Sequence, residues 1–235
     1  MNSSIFKIYL LMVVFLSLFC TSYITNGQTY IESLHTILIY PYYYVILITA
    51  LLLITFQTIK IFKDNQFQII RLESRKQCFQ IAIKQIIYNC SICFAINLLC
   101  LLIGCNLFHS YYFEIKTLNY GITNLTYVVF LAIRSYLYII MIMIINALFL
   151  YIIDLKVLTI IDAIMIITIP IYNYYLPTFS IGKTDIPFLI SGFFNPLKFD
   201  NFSIELCVSC GYFLLVLIFC YFLFYFVLKH NKQMI

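Results

Sequence analysis

Long apolar runs separated by short polar breaks dominate the chain. A helix needs about 20 apolar residues to cross a hydrocarbon core of about 30 Å, and runs of about that length occur at 5–24, 37–56, 86–105, 127–153, 157–176 and 204–228. The fourth and fifth runs are parted only by Asp154-Leu155-Lys156. Together they are far too long for one crossing, so that break predicts a hairpin tip. The pattern predicts an all-α polytopic membrane protein, a single transmembrane domain over 1–235 with six transmembrane helices and both termini on one side.

The flanks of the runs refine this picture. Lys7 stands near the start of the first run and Asn26-Gly27 follows it. A cleaved signal ends in small residues, whereas this run ends Thr21-Ser22-Tyr23-Ile24-Thr25, and Phe19 before Cys20 does not suit a lipoprotein site. A retained span is expected. The second run opens with Tyr40, Pro41, Tyr42, Tyr43 and Tyr44, a composition that suits an interfacial aromatic belt. Pro177, Gly182, Pro187, Gly192 and Pro196 mark a loop before the last run.

Composition excludes a soluble domain. Of 235 residues, 64% are hydrophobic and 10% charged, against about a quarter charged in soluble proteins. Lipid is the solvent for most of the chain, and nucleic acid is not an expected partner. Lys and Arg accumulate in cytoplasmic segments. Ten basic residues, Lys7, Lys60, Lys63, Arg71, Arg75, Lys76, Lys84, Lys156, Lys229 and Lys232, fall on the side of the termini, and three, Lys116, Lys183 and Lys198, fall opposite. This asymmetry predicts an N-in, C-in topology in the cell membrane.

Several motifs that carry chemistry in soluble proteins lose force here. Cys90-Ser-Ile-Cys93 and Cys207-Val-Ser-Cys210 have metal or redox spacing, but both lie in apolar runs, where thiols behave as small hydrophobes. No metal site is expected. Asn89-Cys-Ser91, Asn124-Leu-Thr126 and Asn201-Phe-Ser203 match the glycosylation pattern, which arises easily in so Asn-rich a chain. His35, His109 and His230 stand singly. With no nucleophile, base and orienting group at any plausible spacing, and no phosphate loop, no catalytic residue is expected and the chain does not read as an enzyme.

Charges within spans are functional candidates by default. Arg134 lies about 10 Å inside the outer end of the fourth run, and Asp162 about 8 Å inside the inner end of the fifth. They occupy opposite leaflets and are not expected to pair. Glu205, at the outer start of the last run, matches Arg134 in depth and makes an intramembrane ion pair possible; the alternative is that Arg134 and Asp162 each snorkel to the nearer headgroups. The polar in-span residues Asn89, Asn97, Ser135, Asn146 and Thr168 are candidate helix contacts or pathway positions, packing being the more ordinary role.

The one sizeable inner loop is 57–85, with six basic residues against Asp64 and Glu73, a net charge of +4. Its irregular apolar positions predict a short interfacial helix, a polar bend and an amphipathic entry into the third span. The ordinary explanation of the charge is attraction to anionic lipid. Its run Ile69-Ile70-Arg71-Leu72-Glu73-Ser74-Arg75-Lys76, leading through Lys84 into the third span, resembles the corresponding loop of small ABC-2-type permease subunits of low-GC Gram-positive bacteria. The six-span layout with its tight hairpin is similar to that family across nearly the whole chain.

The resemblance implies a permease subunit of an ATP-binding cassette exporter for a peptide, a lipid-linked molecule or a drug. It implies a homodimer or heterodimer with a second permease, and a separate ATPase chain that carries ATP and Mg. It also implies a coupling helix in the inner loop, for which Phe67, Ile70, Arg71, Arg75 and Lys76 are the candidates. No long interfacial helix precedes the first span, which departs from better-defined members. The alternative is a non-transporting membrane interaction protein, such as a bacteriocin-immunity factor or the anchor of a signalling complex.

Overall fold

The computed structural model describes residues 3–24, 29–39, 41–64, 75–108, 114–118, 121–153, 156–164, 179–181, 184–186 and 202–230. The described chain is helical apart from one small ribbon. The helices are α1 (Ser3–Ile24), α2 (Tyr30–Ile39), α3 (Pro41–Asp64), α4 (Arg75–Phe108), α5 (Asn124–Ile152), α6 (156–164) and α7 (Phe202–His230). Strands β1 (Phe179–Ile181) and β2 (Thr184–Ile186) pair antiparallel with Ser180 opposite Asp185. This ribbon lies where the sequence predicts an irregular loop.

Two element boundaries differ from the hydropathy pattern for reasons of backbone chemistry. The second apolar run is not one helix from its start: α2 ends at Ile39 and α3 begins at Pro41. Proline lacks an N–H and disfavours helical geometry in the residue before it, yet it suits the first position of a new helix. The second difference concerns 57–85. Its first part continues α3 to Asp64, and its last part belongs to α4 from Arg75 onward. No separate interfacial helix occupies either part. Neither Gly nor Pro interrupts 57–64 or 75–85, so within these two parts the change from apolar to polar side chains marks a change of solvent and not a break in the backbone hydrogen-bond ladder; the expected polar bend falls on 65–74, outside the described residues.

Among the described residues, 80–108, 124–150 and 202–226 are long and apolar enough to cross a membrane, and 7–19 and 47–60 are shorter apolar helical stretches. The three long stretches suit a membrane protein. At 1.5 Å per residue α5 is about 44 Å long, more than a hydrocarbon core requires.

A core of buried aliphatic residues joins α1, α2, α3, α4 and α5, with Val13, Ile37, Leu51, Ile54, Ile86, Leu101, Leu131 and Met143 among its members. In a membrane such a core gains no hydrophobic driving force over lipid, so close packing and interhelical polar contacts must hold it. The closest packing is between α1 and α4, where a Cβ built on Gly104 meets Oγ1, Cβ and Cγ2 of Thr21, the two carbons at 2.9 Å. Both residues lie near the C-terminal ends of their helices, so α1 and α4 run parallel. Polar contacts supplement the packing: Ser91 and Tyr136 hydroxyls lie 2.7 Å apart between α4 and α5, and Thr55 Oγ1 lies 3.4 Å from Met143 Sδ between α3 and α5.

Candidate functional site

The site is built on one face of α5 and one face of α7. Tyr127, Arg134 and Tyr138 recur at seven- and four-residue spacing, which places them along one helix face, and Phe202, Glu205 and Ser209 share a face of α7 at three- and four-residue spacing. Arg134 Nη1 donates to Glu205 Oε1 at 3.2 Å, with the two side chains 5% and 1% exposed. Tyr127 Oη donates to the same carboxylate, 3.1 Å from each oxygen. Four residues further along α5 from Arg134, Tyr138 Oη donates to the Ser209 carbonyl at 3.2 Å.

Aromatic rings close over this polar clasp. The Phe130 ring lies 5.7 Å from Arg134 Cζ and meets the Phe202 ring edge-on at 5.1 Å. His35 of α2 stacks obliquely on Tyr127, with ring centroids 5.6 Å apart. Partners are met in the same order along α5 and α7, so the two helices run parallel. The clasp neutralises both charges and leaves neither oxygen of Glu205 unbonded. It holds α5 and α7 in register.

Of its apolar stretch, α7 has 11% buried within the protein, against 44% for that of α5. Leu214, Leu215, Phe219, Tyr221, Phe222, Tyr225 and Phe226 are exposed beyond the clasp. The polar contacts near its N-terminus therefore fix α7 against α5.

A second polar group sits at the α5 N-terminus. Thr123 caps α5, accepting from Thr126 N–H at 3.2 Å. The segment before it turns back through Gly121, whose φ of +74° favours glycine, and Leu118 N–H donates to Ile122 O at 2.8 Å. Asn124 Oδ1 accepts from the N–H groups of Lys116 and Leu125, and Nδ2 donates to Glu114 O. Lys116 Nζ lies 2.9 Å from Glu114 Oε2 and 3.8 Å from Glu32 Oε1. The Glu114 hydrogen bond raises the Lys116 ammonium above its ordinary range. Glu32 closes a reciprocal cap on α2: Thr29 N–H donates to Glu32 Oε2 at 3.2 Å and Glu32 N–H to Thr29 Oγ1 at 3.4 Å. The Thr29 hydrogen bonds hold the Glu32 carboxyl below the usual carboxylate range.

The structure brings Arg134 and Glu205 together, and Asp162 lies elsewhere. Asp162 is buried on α6 and hydrogen-bonds Asn146 of α5 across the hairpin. Asn89 is buried and accepts from Gln85 Nε2 at 3.0 Å, Asn97 is buried, and Ser135 donates to Leu131 O at 2.7 Å. Phe67, Ile70, Arg71 and Thr168 lie outside the described residues, as do the side chains of Arg75 and Lys76, whose backbone opens α4. Cys90 and Cys93 are buried while Cys207 and Cys210 are exposed. Among the described residues no three His, Cys, Asp or Glu side chains gather in a metal-binding group.

Sequence reasoning missed Tyr127, Tyr138 and Ser209. Their signal is a shared helical face with Arg134 and Glu205, hidden among 21 tyrosines. Neither a protein-family model, nor a curated protein, nor a solved structure matches this chain.

Proposed function

We propose that the chain is the membrane-spanning permease subunit of an ATP-binding cassette exporter, driven by a separate ATPase chain. The observation that carries this reading is the pair of helical arms around 65–74. Helix α3 runs through its apolar stretch to Asp64, and α4 starts at Arg75, 11 residues before the apolar run that begins at Ile86. That extension is about 16 Å long. The segment holding Phe67, Ile70 and Arg71 thus joins two helices that both carry polar sequence beyond the lipid, where an ATPase would meet it. Phe67 or Ile70 would fill an apolar pocket, and Arg71, Arg75 and Lys76 would pair with acidic groups of the partner.

Six spans and an N-in, C-in orientation belong to this reading. The parallel course of α5 and α7 supports it: two parallel crossings require the intervening chain to recross the membrane, and 157–176 is the apolar run available. The exposed flank of α7 gives room for lipid and for a second permease subunit. ATP-driven closure of the two ATPase chains would then move the permease halves as rigid bodies.

The test is co-purification with any ATP-binding cassette ATPase that is encoded beside this chain. Co-purification and stimulated ATP hydrolysis are expected, and both are lost in the triple variant Ile70→Ala, Arg71→Glu, Arg75→Glu while membrane insertion persists. An intact complex in that variant would refute the coupling segment, and failure of the unaltered chain to bind the ATPase would favour an interaction protein.

A further inference from the structure

The hairpin between α5 and α6 holds a second buried polar pair that the clasp does not use. Asn146 of α5 and Asp162 of α6 lie 16 residues apart in the chain, and the structure brings their side chains together. Both are buried, at 3% and 4% exposure. The Asn146 side chain hydrogen-bonds the Asp162 carboxyl. Among the described residues Asn146 Oδ1 and Asp162 Oδ2 have no hydrogen-bond partner, so the bond runs from Asn146 Nδ2 to Asp162 Oδ1. What remains is two buried acceptor oxygens on adjoining groups and no donor for either.

A buried acceptor left without a donor is costly, and a buried carboxylate with no cation beside it costs far more. Among the described residues no salt bridge joins Asp162 to a cation. On its own helix Lys156 is exposed and lies six residues earlier. On α5 the titratable groups nearest Asn146 along the chain are Tyr151, five residues later, and Tyr138, eight residues earlier or about 12 Å along the axis, and Arg134 is engaged by Glu205. From α4 and α7, which meet α5 around Leu148 through Ile83, Leu223 and Phe224, the titratable groups nearby in sequence are Lys84, Tyr88, Cys220, Tyr221 and Tyr225.

One added proton removes both defects. A neutral carboxylic acid and a primary amide can share two reciprocal hydrogen bonds, acid O–H to amide oxygen and amide N–H to acid oxygen. The second of these is already present. We propose that Asp162 and Asn146 form an intramembrane proton-binding site, in which a proton from water adds to Asp162 Oδ2 and is donated to Asn146 Oδ1. The proton comes from hydronium, whose O–H bond breaks to leave water, and no further reactant is needed. The hairpin then packs as a neutral acid–amide pair, and loss of the proton places a negative charge between α5 and α6. The site does not depend on the transporter reading.

Infrared difference spectroscopy of the full chain in lipid nanodiscs tests this. The unaltered protein minus Asp162→Asn should show the C=O stretch of a protonated carboxylic acid at neutral pH, shifted in deuterium oxide and lost as pH is raised. Asn146→Ala should move that band to higher frequency, because the carbonyl loses its donor. A carboxylate band alone at neutral pH would overturn the proposal. So would a carboxylic acid band that Asn146→Ala leaves in place, or one abolished by sodium but not by choline at fixed pH, which would make the ligand a metal cation. Should Asp162→Asn fail to insert, carbon-13 labelling of aspartate in the unaltered chain reads the same state directly: an isotope-shifted carboxylic acid band supports the site, and its absence at neutral pH refutes it.

Discussion

Arg134 and Glu205, 71 residues apart in the chain, meet at 3.2 Å inside the protein and tie α7 to α5. Removing one partner of a buried pair leaves an uncompensated charge, at a cost of about 3–5 kcal/mol, whereas replacing both with apolar groups of similar size is often neutral. Arg134→Leu and Glu205→Leu should therefore each destabilise strongly, and the double variant should lose much less than the sum. The expected coupling is about 2–3 kcal/mol, read by unfolding titrations in mixed micelles. Additive losses would show that the pair holds nothing together.

The depth of Arg134 and Glu205 was legible because charges are rare in this chain and their distance from each run's end can be counted. Tyr127 and Tyr138 were not legible, since a helix apolar all round gives no periodic signal to separate a buried face from a lipid face. Asn146 and Asp162 lay in view as polar in-span residues, but their pairing depends on how α5 and α6 pack, which the hydropathy pattern does not specify. The polar parts 57–64 and 75–85 misled because helix hydrogen bonds continue without regard to side-chain polarity when no Gly or Pro interrupts them. The candidate coupling residues remain a matter of resemblance.

The contact between Gly104 and Thr21 admits no side chain at position 104. A Cβ there meets Thr21 Cβ and Cγ2 at 2.9 Å as well as its hydroxyl oxygen, and Thr21 is tied down through its hydroxyl to Leu18 O at 2.7 Å. Gly104→Ala should push α1 from α4 and cost about 1–3 kcal/mol, the usual cost of overpacking. Thr21→Gly in the same chain should recover part of that loss, despite the helix propensity that glycine forfeits. Thermal melting in detergent checks both, and a Gly104→Ala protein that melts with the unaltered one would contradict the packing.

Asn124 sits in a glycosylation pattern yet should never carry a glycan. The atom that would be modified, Nδ2, donates to Glu114 O at 3.0 Å, and the residue is 8% exposed. Mass spectrometry after expression through a glycosylating secretory pathway should find position 124 bare. Asn124→Ala frees the Lys116 and Leu125 N–H groups and the Glu114 carbonyl at once, with an expected cost of about 1–3 kcal/mol for buried groups left unsatisfied. Faster amide exchange over 114–118 in that variant would report the loosened turn.

Acid should act on the cap of α2 through Glu32. Its carboxyl accepts from Thr29 in the folded chain and lies beside Lys116, so its folded pKa is below the ordinary 4.5. A depressed carboxylate contributes stability that is fully present above the unfolded value and is lost as pH falls through the folded one. Glu32→Gln keeps a side-chain oxygen for the cap and removes the charge. Above pH 4.5 the unaltered protein should melt slightly higher than Glu32→Gln, and the gap should close progressively below that value. The gap should be small, because Glu32 and Lys116 side chains are 46% and 50% exposed and solvent screens such a pair. Added salt should narrow the part owed to Lys116 and leave the part owed to Thr29. A gap that widens on acidification would place the stabilising proton on the folded side and reverse the assignment.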